Sequence, residues 1–297
     1  MKRGGLLIAL ALLMAITAAG IYKVPKVMER KGCASAGIPI TKKWDSFGDL
    51  KEVKVLLLGD AGMGDENQKR VAAASAKTCE EIGCDMALYL GDNFYQKGVK
   101  SVDDPLFLKW FEKIYTQDIP FYAILGNHDV KGNWRAQIEY TNRSKRWVMP
   151  DTNYSFTAGP VRFYAVNTNC AHLALSELET SENSPWKVIL GHRPPVSSGN
   201  HGGLDPLAMW FLERQDFDFY MGGHEHLLEH LKKEGRDVII SGGGGGVLQG
   251  KEKEDSPYSR FISRTYGYVW ARFGADAAEV VFFDGEGQKL YGFTRKK

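Results

Sequence analysis

The chain has 297 residues, 43% hydrophobic and 25% charged, which is ordinary for a globular protein and long enough for one large domain or two small ones. Its net charge is +2, so charge gives no basis for a nucleic-acid partner, and no nucleic-acid binding is expected.

The amino terminus does not read as globular. Lys2-Arg3 precedes an apolar run from Leu6 to Ile16, then Thr17-Ala18-Ala19-Gly20. That is the pattern of a secretory signal cut near Ala19. The uncharged stretch from Gly4 to Tyr22 is also just long enough to stay as a bilayer anchor. Residues 1–22 therefore read as a signal peptide or a membrane anchor. Both readings place the remainder outside the cytoplasm, periplasmic, extracellular or tethered at the membrane. Residues 23–50 are mixed and polar and read as a linker or extension, and 51–297 as one domain.

Four cysteines, Cys33, Cys79, Cys84 and Cys170, fit no zinc spacing. Export permits disulfides. Cys79 and Cys84 either pair with each other or are buried thiols.

Val53 to Leu58, apolar apart from Lys54, is expected to be a strand buried on both faces, and it ends in Gly59-Asp60. A helix rich in Ala, Lys and Glu follows over 67–82. A second strand, Met86 to Leu90, ends in Gly91-Asp92-Asn93-Phe94-Tyr95. Leu106, Trp110, Phe111 and Ile114 form a helical stripe within 105–115. A third strand, Phe121 to Leu125, ends in Gly126-Asn127-His128-Asp129, and a polar helix is expected over 134–141. Strands follow at 161–167 and 187–190, the latter ending in Gly191-His192-Arg193-Pro194. After a loop with His201 and a helix over 206–215, the strand Phe217 to Tyr220 leads into Gly222-Gly223-His224-Glu225-His226. Val238 to Ser241 precedes five glycines, Gly242 to Gly246, read as a flexible turn in preference to a phosphate contact. Lys251 to Asp255 reads as a solvated loop. Antiparallel strands at 268–273, 279–283 and 290–293 close the chain. Strands alternate with helices early and cluster late, which argues an α/β fold with a mixed sheet or two packed sheets and helices outside.

Five apolar runs thus end in glycine followed by Asp60, Asp92, Asn127, His192 or His224. In open α/β sheets, ligands bind beyond the carboxyl ends of the strands, so these side chains should converge. Of seven histidines, His128, His192, His201, His224 and His226 lie in or near these turns, leaving His172 and His230 without a role. Asp, Asn, His and Tyr form an oxygen and nitrogen donor set for hard to borderline metals. The donors are too many for one tetrahedral ion, and a carboxylate such as Asp92 can bridge two ions about 3.5 Å apart. Asp65 and Asp129 either tune neighbouring groups or, in preference, are exposed turn carboxylates.

Taken together, Gly59-Asp60, Gly91-Asp92-Asn93, Gly126-Asn127-His128-Asp129, Gly191-His192 and Gly223-His224-Glu225-His226 resemble the five-part signature of the calcineurin-like metallophosphoesterases. Tyr95 after Gly-Asp-Asn-Phe, Ser144-Lys145-Arg146-Trp147, and His201-Gly202 nine residues after His192 are similar to the small, tartrate-resistant purple acid phosphatases. The resemblance implies a two-sheet β-sandwich flanked by helices, with a metal site at the carboxyl ends of strands. It implies that Asp60, Asp92, Tyr95 and His226 hold Fe(III), and that Asp92, Asn127, His192 and His224 hold a divalent ion: Fe, Zn or Mn. It further implies hydrolysis of phosphate monoesters by a metal-activated hydroxide, with His201 and His128 at the phosphate and leaving group. Substrates would be small phosphorylated molecules or phosphoproteins. A phosphodiesterase or nucleotide hydrolase on the same site, and a noncatalytic metal or phosphate binder, are the alternatives. Ala61-Gly62-Met63 stands where vertebrate-type members carry an aromatic residue, which alters the pocket wall.

Overall fold

A computed structural model of the chain describes residues 31–43, 47–251 and 254–297, so the signal or anchor segment lies outside the described residues. Among the described residues no helix is long and apolar enough to cross a membrane.

In chain order the strands are β1 (Val53–Leu58), β2 (Met86–Tyr89), β3 (Phe121–Ala123), β4 (Trp147–Val148), β5 (Tyr154–Ala158), β6 (Val161–Val166) and β7 (Trp186–Gly191). They continue as β8 (Phe219–Gly222), β9 (Leu228–Lys233), β10 (Arg236–Ser241), β11 (Ser259–Ser263), β12 (Gly267–Phe273), β13 (Ala277–Asp284) and β14 (Lys289–Lys296). The α-helices are α1 (Glu66–Ile82), α2 (Trp134–Glu139), α3 (Ala171–Ser176) and α4 (Pro206–Leu212).

The strands form two seven-stranded sheets, β14-β13-β12-β1-β2-β3-β4 and β11-β9-β10-β8-β7-β6-β5. Strands β1 to β4 run parallel in the first sheet, and β6, β7, β8 and β10 run parallel in the second. The remaining pairs are antiparallel in both.

Alternation along each strand sorts the side chains into layers. Val53, Val55 and Leu57 of β1 meet Val188, Leu190, Phe219 and Met221 of the second sheet in a core between the sheets. Leu56 and Leu58 point the other way, into a layer with Val71 of α1, Phe107, Phe111 and Trp147. On the second sheet, Ile189, Tyr220 and Ile240 pack under Leu175 of α3 and Leu212 of α4. Four layers result: helices, sheet, sheet, helices. This is the metallophosphoesterase fold expected from the sequence.

Local chemistry sets the boundaries. Asp65 caps α1 by accepting from the Gln68 amide, and Gly83 ends it at φ 85°. Asp65 is therefore a cap and not a tuning charge. The stripe at 105–115 forms a π-helical turn over Phe107–Glu112, where the Lys113 amide reaches the Leu108 carbonyl five residues back.

Strand β9, Leu-Glu-His-Leu-Lys-Lys, lacks alternation because two polar residues are buried in it. Glu229 accepts from Ser198, and His230 pairs with Asp237 at 2.8 Å while stacking on Phe293. His230, without a role in the sequence reading, is thus a buried residue hydrogen-bonded to Asp237.

Cys79 pairs with Cys84 and Cys33 with Cys170. The second bridge ties the amino-terminal stretch to the domain. Ala36, Ile38 and Ile40 pack on the helix-covered core, and Thr41 binds Asn142.

Candidate metal centre

The predicted turns follow the carboxyl ends of β1, β2 and β3 in one sheet and of β7 and β8 in the other. The two sheets are stitched there by backbone bonds, Gly59 N–H to the Ser241 carbonyl and Gly244 N–H to the Gly59 carbonyl. Gly91 shows why glycine is needed: its φ is 87°, and a Cβ would lie 2.6 Å from the His192 ring.

Asp60, Asp92 and His192 are buried and bring their ligand atoms within 4.8 Å of one another. Asp60 accepts from the His224 backbone N–H at 2.6 Å and from the Tyr95 hydroxyl at 3.1 Å. The Tyr95 hydroxyl lies 3.0 Å from His226 Nε2. Asp92 Oδ1 accepts from the His128 backbone N–H at 2.7 Å and sits 3.5 Å from His192 Nε2.

Carbonyls orient the imidazoles. His192 Nδ1 faces the Leu90 carbonyl at 2.9 Å and His226 Nδ1 faces the Val247 carbonyl at 2.6 Å. A carbonyl only accepts, so in both rings Nδ1 donates and Nε2 is the nitrogen turned toward the cluster.

Electrostatics divide the groups. Burial pushes the Asp92 carboxyl up, but His192 and the His128 amide outweigh it and hold the acid well below the usual carboxylate range. Burial disfavours the His192 cation, yet Asp92 and Asp60 raise that ring to about 9. His224 is taken down to about 2 by burial, then by the positive charges of His192 and Arg193. Burial, then Asp60 and Asp92, push the Tyr95 phenol far above its ordinary value.

The residues fit a pair of metal ions. His192 Nε2 and Asn127 Oδ1 are buried without a hydrogen-bond partner. Such orphaned atoms are costly unless something binds them. The same negative charges that hold the Tyr95 proton would welcome a multivalent cation, which inverts the local pKa order.

Of the sequence-predicted residues, Asp60, Asp92, Tyr95, Asn127, His192, His224 and His226 all lie in this crevice. His128 and His201 stand at its mouth. The His128 ring is 4.5 Å from the Tyr95 ring, and the His201 ring is 4.9 Å from that of His226.

Two features differ from expectation, and a third, Glu225, had no assigned role. Asp129 is fully buried, not an exposed turn residue. It accepts from the amides of Gly126, Asn93 and Phe94 and from the Gln137 side chain, locking the second turn to the third. The glycine run is not a flexible turn but a buried strip: a Cβ on Gly244 would lie 2.4 Å from the Gly59 carbonyl, and one on Gly246 2.7 Å from the His226 ring. Glu225, between the two histidines, is fully buried and accepts from the amides of His201 and Gly202, so it holds the loop that carries His201.

Sequence reasoning missed two cations. Arg193 Nη1 donates to His224 Nε2 at 2.8 Å, and Lys131 Nζ lies 3.3 Å from His128 Nδ1. The available signal was their place in the chain, Arg193 directly after His192 and Lys131 three residues after His128.

A two-sheet sandwich with carboxylate, phenol, amide and imidazole donors gathered beyond its parallel strands defines a metallophosphoesterase. The calcineurin-like phosphoesterase family matches residues 53–243. The chain is 30% identical over 288 residues to purple acid phosphatase 17 of Arabidopsis thaliana, covering 82% of this chain and 85% of that one. It is 27% identical to human tartrate-resistant acid phosphatase type 5 over 261 residues, 73% of this chain and 80% of the relative. Among solved structures, GAP50, the anchor in the inner membrane complex of Plasmodium, superposes with a TM-score of 0.71 at 21% identity, over 82% of this chain and 89% of that one. The chain belongs to the purple acid phosphatase family of calcineurin-like phosphoesterases, and it is a metal-dependent acid phosphatase.

Proposed function

We propose that the chain hydrolyses phosphate monoesters at a dinuclear metal centre, acting on small phosphorylated molecules or phosphoproteins outside the cytoplasm. The observation that carries this is the pair of buried, partnerless ligand atoms, His192 Nε2 and Asn127 Oδ1, beside two buried carboxylates.

Asp60, Asp92, Tyr95 and His226 would hold Fe(III), and Asp92, Asn127, His192 and His224 a divalent Fe, Zn or Mn, with Asp92 shared. When bound, such a pair supplies Lewis acidity toward phosphoryl oxygens and activates water near neutral pH. The protein's own groups do the rest. His201 Nδ1 hydrogen-bonds the His224 carbonyl at 2.8 Å, so the ring in its doubly protonated form would hand the Nε2 proton to the departing alkoxide. His128 Nδ1 faces the Gln96 carbonyl at 2.9 Å, leaving its Nε2 for the phosphoryl group, with the Lys131 ammonium alongside. The two disulfides fit a non-cytoplasmic site, and the signal or anchor reading of residues 1–22 supplies the route.

Metal analysis with turnover of p-nitrophenyl phosphate and its bis ester tests the reading. Two ions per chain and preference for the monoester are expected, and Asp92→Ala should lose both ions and hydrolysis together. Wild-type turnover in Asp92→Ala with two ions retained would refute it. Cell fractionation should recover the protein outside the cytoplasm.

A further inference from the structure

Next to the metal-centre residues lies a cavity of about 400 Å³, whose walls include Lys31, Asn127, Thr168, Asn169, Arg193 and Asp205. Asn127 and Arg193 connect it to the centre. Two of these side chains are cations, and among the described residues neither has a carboxylate within ion-pair distance. The one carboxylate in the wall, Asp205, is engaged: it caps α4 by accepting from the Ala208 amide at 2.9 Å.

Lys31 is held in place from behind. Buried Asn167 donates to the carbonyls of Lys31 and Gly32 at 3.0 and 2.7 Å, and the Cys33–Cys170 bridge follows two residues on. Asn169 is braced in turn, donating to the Gly126 carbonyl and to Asn167 Oδ1. The Arg193 guanidinium has five donors and no acceptor. Its bond to His224 Nε2 uses the lone pair that a metal ion would need. One lone pair cannot serve both, so a metal ion on His224 would release the guanidinium, which already lines the cavity.

We propose that this cavity is a subsite for a second anionic group on the substrate. The leaving group then carries a carboxylate or a further phosphate, bound by Lys31 and Arg193, while the scissile phosphate lies on the Asp92 side. This rests on the phosphomonoesterase reading above and names the substrate class it leaves open. Charge-assisted bonds to two cations are strong enough to discriminate about tenfold or more against a neutral leaving group.

A matched three-carbon series tests it on the metal-loaded protein: 3-hydroxypropyl phosphate, 3-phosphonooxypropanoate and propane-1,3-diol bisphosphate. The wild type should favour the charged members about tenfold or more in kcat/KM, chiefly through KM, and the better of the two identifies the anion as carboxylate or phosphate. Lys31→Glu should abolish or reverse the preference, and Arg193→Gln should reduce it. Calorimetric titration with 3-phosphonopropanoate and propylphosphonate supplies a readout free of turnover, with the same preference expected and the same loss in Lys31→Glu. If nothing in the series is hydrolysed but the titration preference holds and depends on Lys31, the subsite stands and the hydrolytic reading fails. Equal constants across the series in the wild type, or a preference that survives Lys31→Glu, overturns the proposal.

Discussion

Replacing Asp129 by alanine should damage this protein more than removing an ordinary turn residue. Its Oδ2 accepts from Gly126 N–H at 2.8 Å and Asn93 N–H at 3.1 Å, and its Oδ1 from Phe94 N–H at 3.2 Å and Gln137 Nε2 at 3.0 Å. The side chain is fully buried, so water cannot replace it. Each buried donor left without a partner costs about 1–3 kcal/mol. Gln137 also donates nothing else, but its amide can reorient, so three backbone amides set the floor, about 3–4 kcal/mol at the low end. That is a large share of the roughly 5–15 kcal/mol that holds a domain folded. For a domain of this size it lowers Tm by about 6–16 °C. Asp129→Asn keeps one acceptor oxygen but turns an NH₂ toward the remaining donors, so it should fall between wild type and alanine. Calorimetry on metal-free protein measures this. A shift below about 2 °C for Asp129→Ala would refute the claim that Asp129 ties the second turn to the third, and would restore the exposed-turn reading.

Four further outcomes are expected. His201→Ala should keep both metals but lower turnover by about 100-fold or more for an alkyl phosphate, and by less for p-nitrophenyl phosphate, whose leaving group needs no proton; an equal drop on both would remove His201 as the acid. Glu225→Gln, which weakens the hold on the His201 and Gly202 amides, should show the same leaving-group dependence in milder form with metal content unchanged, and loss of metal instead would assign Glu225 to the centre itself. Gly246→Ala should destabilise by about 1–3 kcal/mol because its Cβ would press on the His226 ring, and a neutral result in a urea melt would show that the strip has slack. Tyr95→Phe should bleach the visible band expected of an Fe(III)-bound phenolate, as read by a spectrum with iron assayed alongside; an unchanged band, or a colourless wild type with full oxidised iron, would show that Tyr95 is not a ligand.

The strands that deliver the site were legible because they are buried on both faces. Val53 to Leu58, apart from Lys54, and Phe121 to Leu125 are apolar runs that end where glycine begins, the pattern of a parallel strand between two layers. The ligand residues were legible for a related reason: each lies in the turn that follows a strand end, so chain order places it near the crevice. What stayed hidden depends on contacts across the chain. Asp129 looks like any Gly-Asn-x-Asp turn until Gln137 and Asn93 fold over it. Gly242 to Gly246 look like a flexible loop until Gly59, Gln68 and His226 crowd them. Strand β9 was invisible because Glu229 and His230 break its apolar pattern, and their partners Ser198 and Asp237 are far off or on another strand. Arg193 sits in a ligand turn without being a ligand type, and Lys31 is brought to the cavity by Asn167 and by a bridge to a cysteine 137 positions from Cys33.

Backbone conformation points to the same crevice by an independent route. Among the described residues four that are not glycine have left-handed φ: Asp60 at 56°, Asp92 at 52°, His224 at 70° and Glu234 at 52°. Glu234 sits in the tight turn joining β9 to β10, where that conformation is expected. The other three are proposed metal ligands, each following a strand-end glycine. Such residues cost about 1–3 kcal/mol each and persist only where the surroundings hold them. Here the surroundings are two sheets with fully buried cores, the amide bonds into Asp60, Asp92 and Asp129, and the close glycine contacts behind the turns. Burying two carboxylates beside a phenol adds to that cost. Strain and unbalanced charge fall on the same residues, and a multivalent cation would relieve the charge while using the geometry that the strain preserves. A set of turns built only to connect strands would need neither.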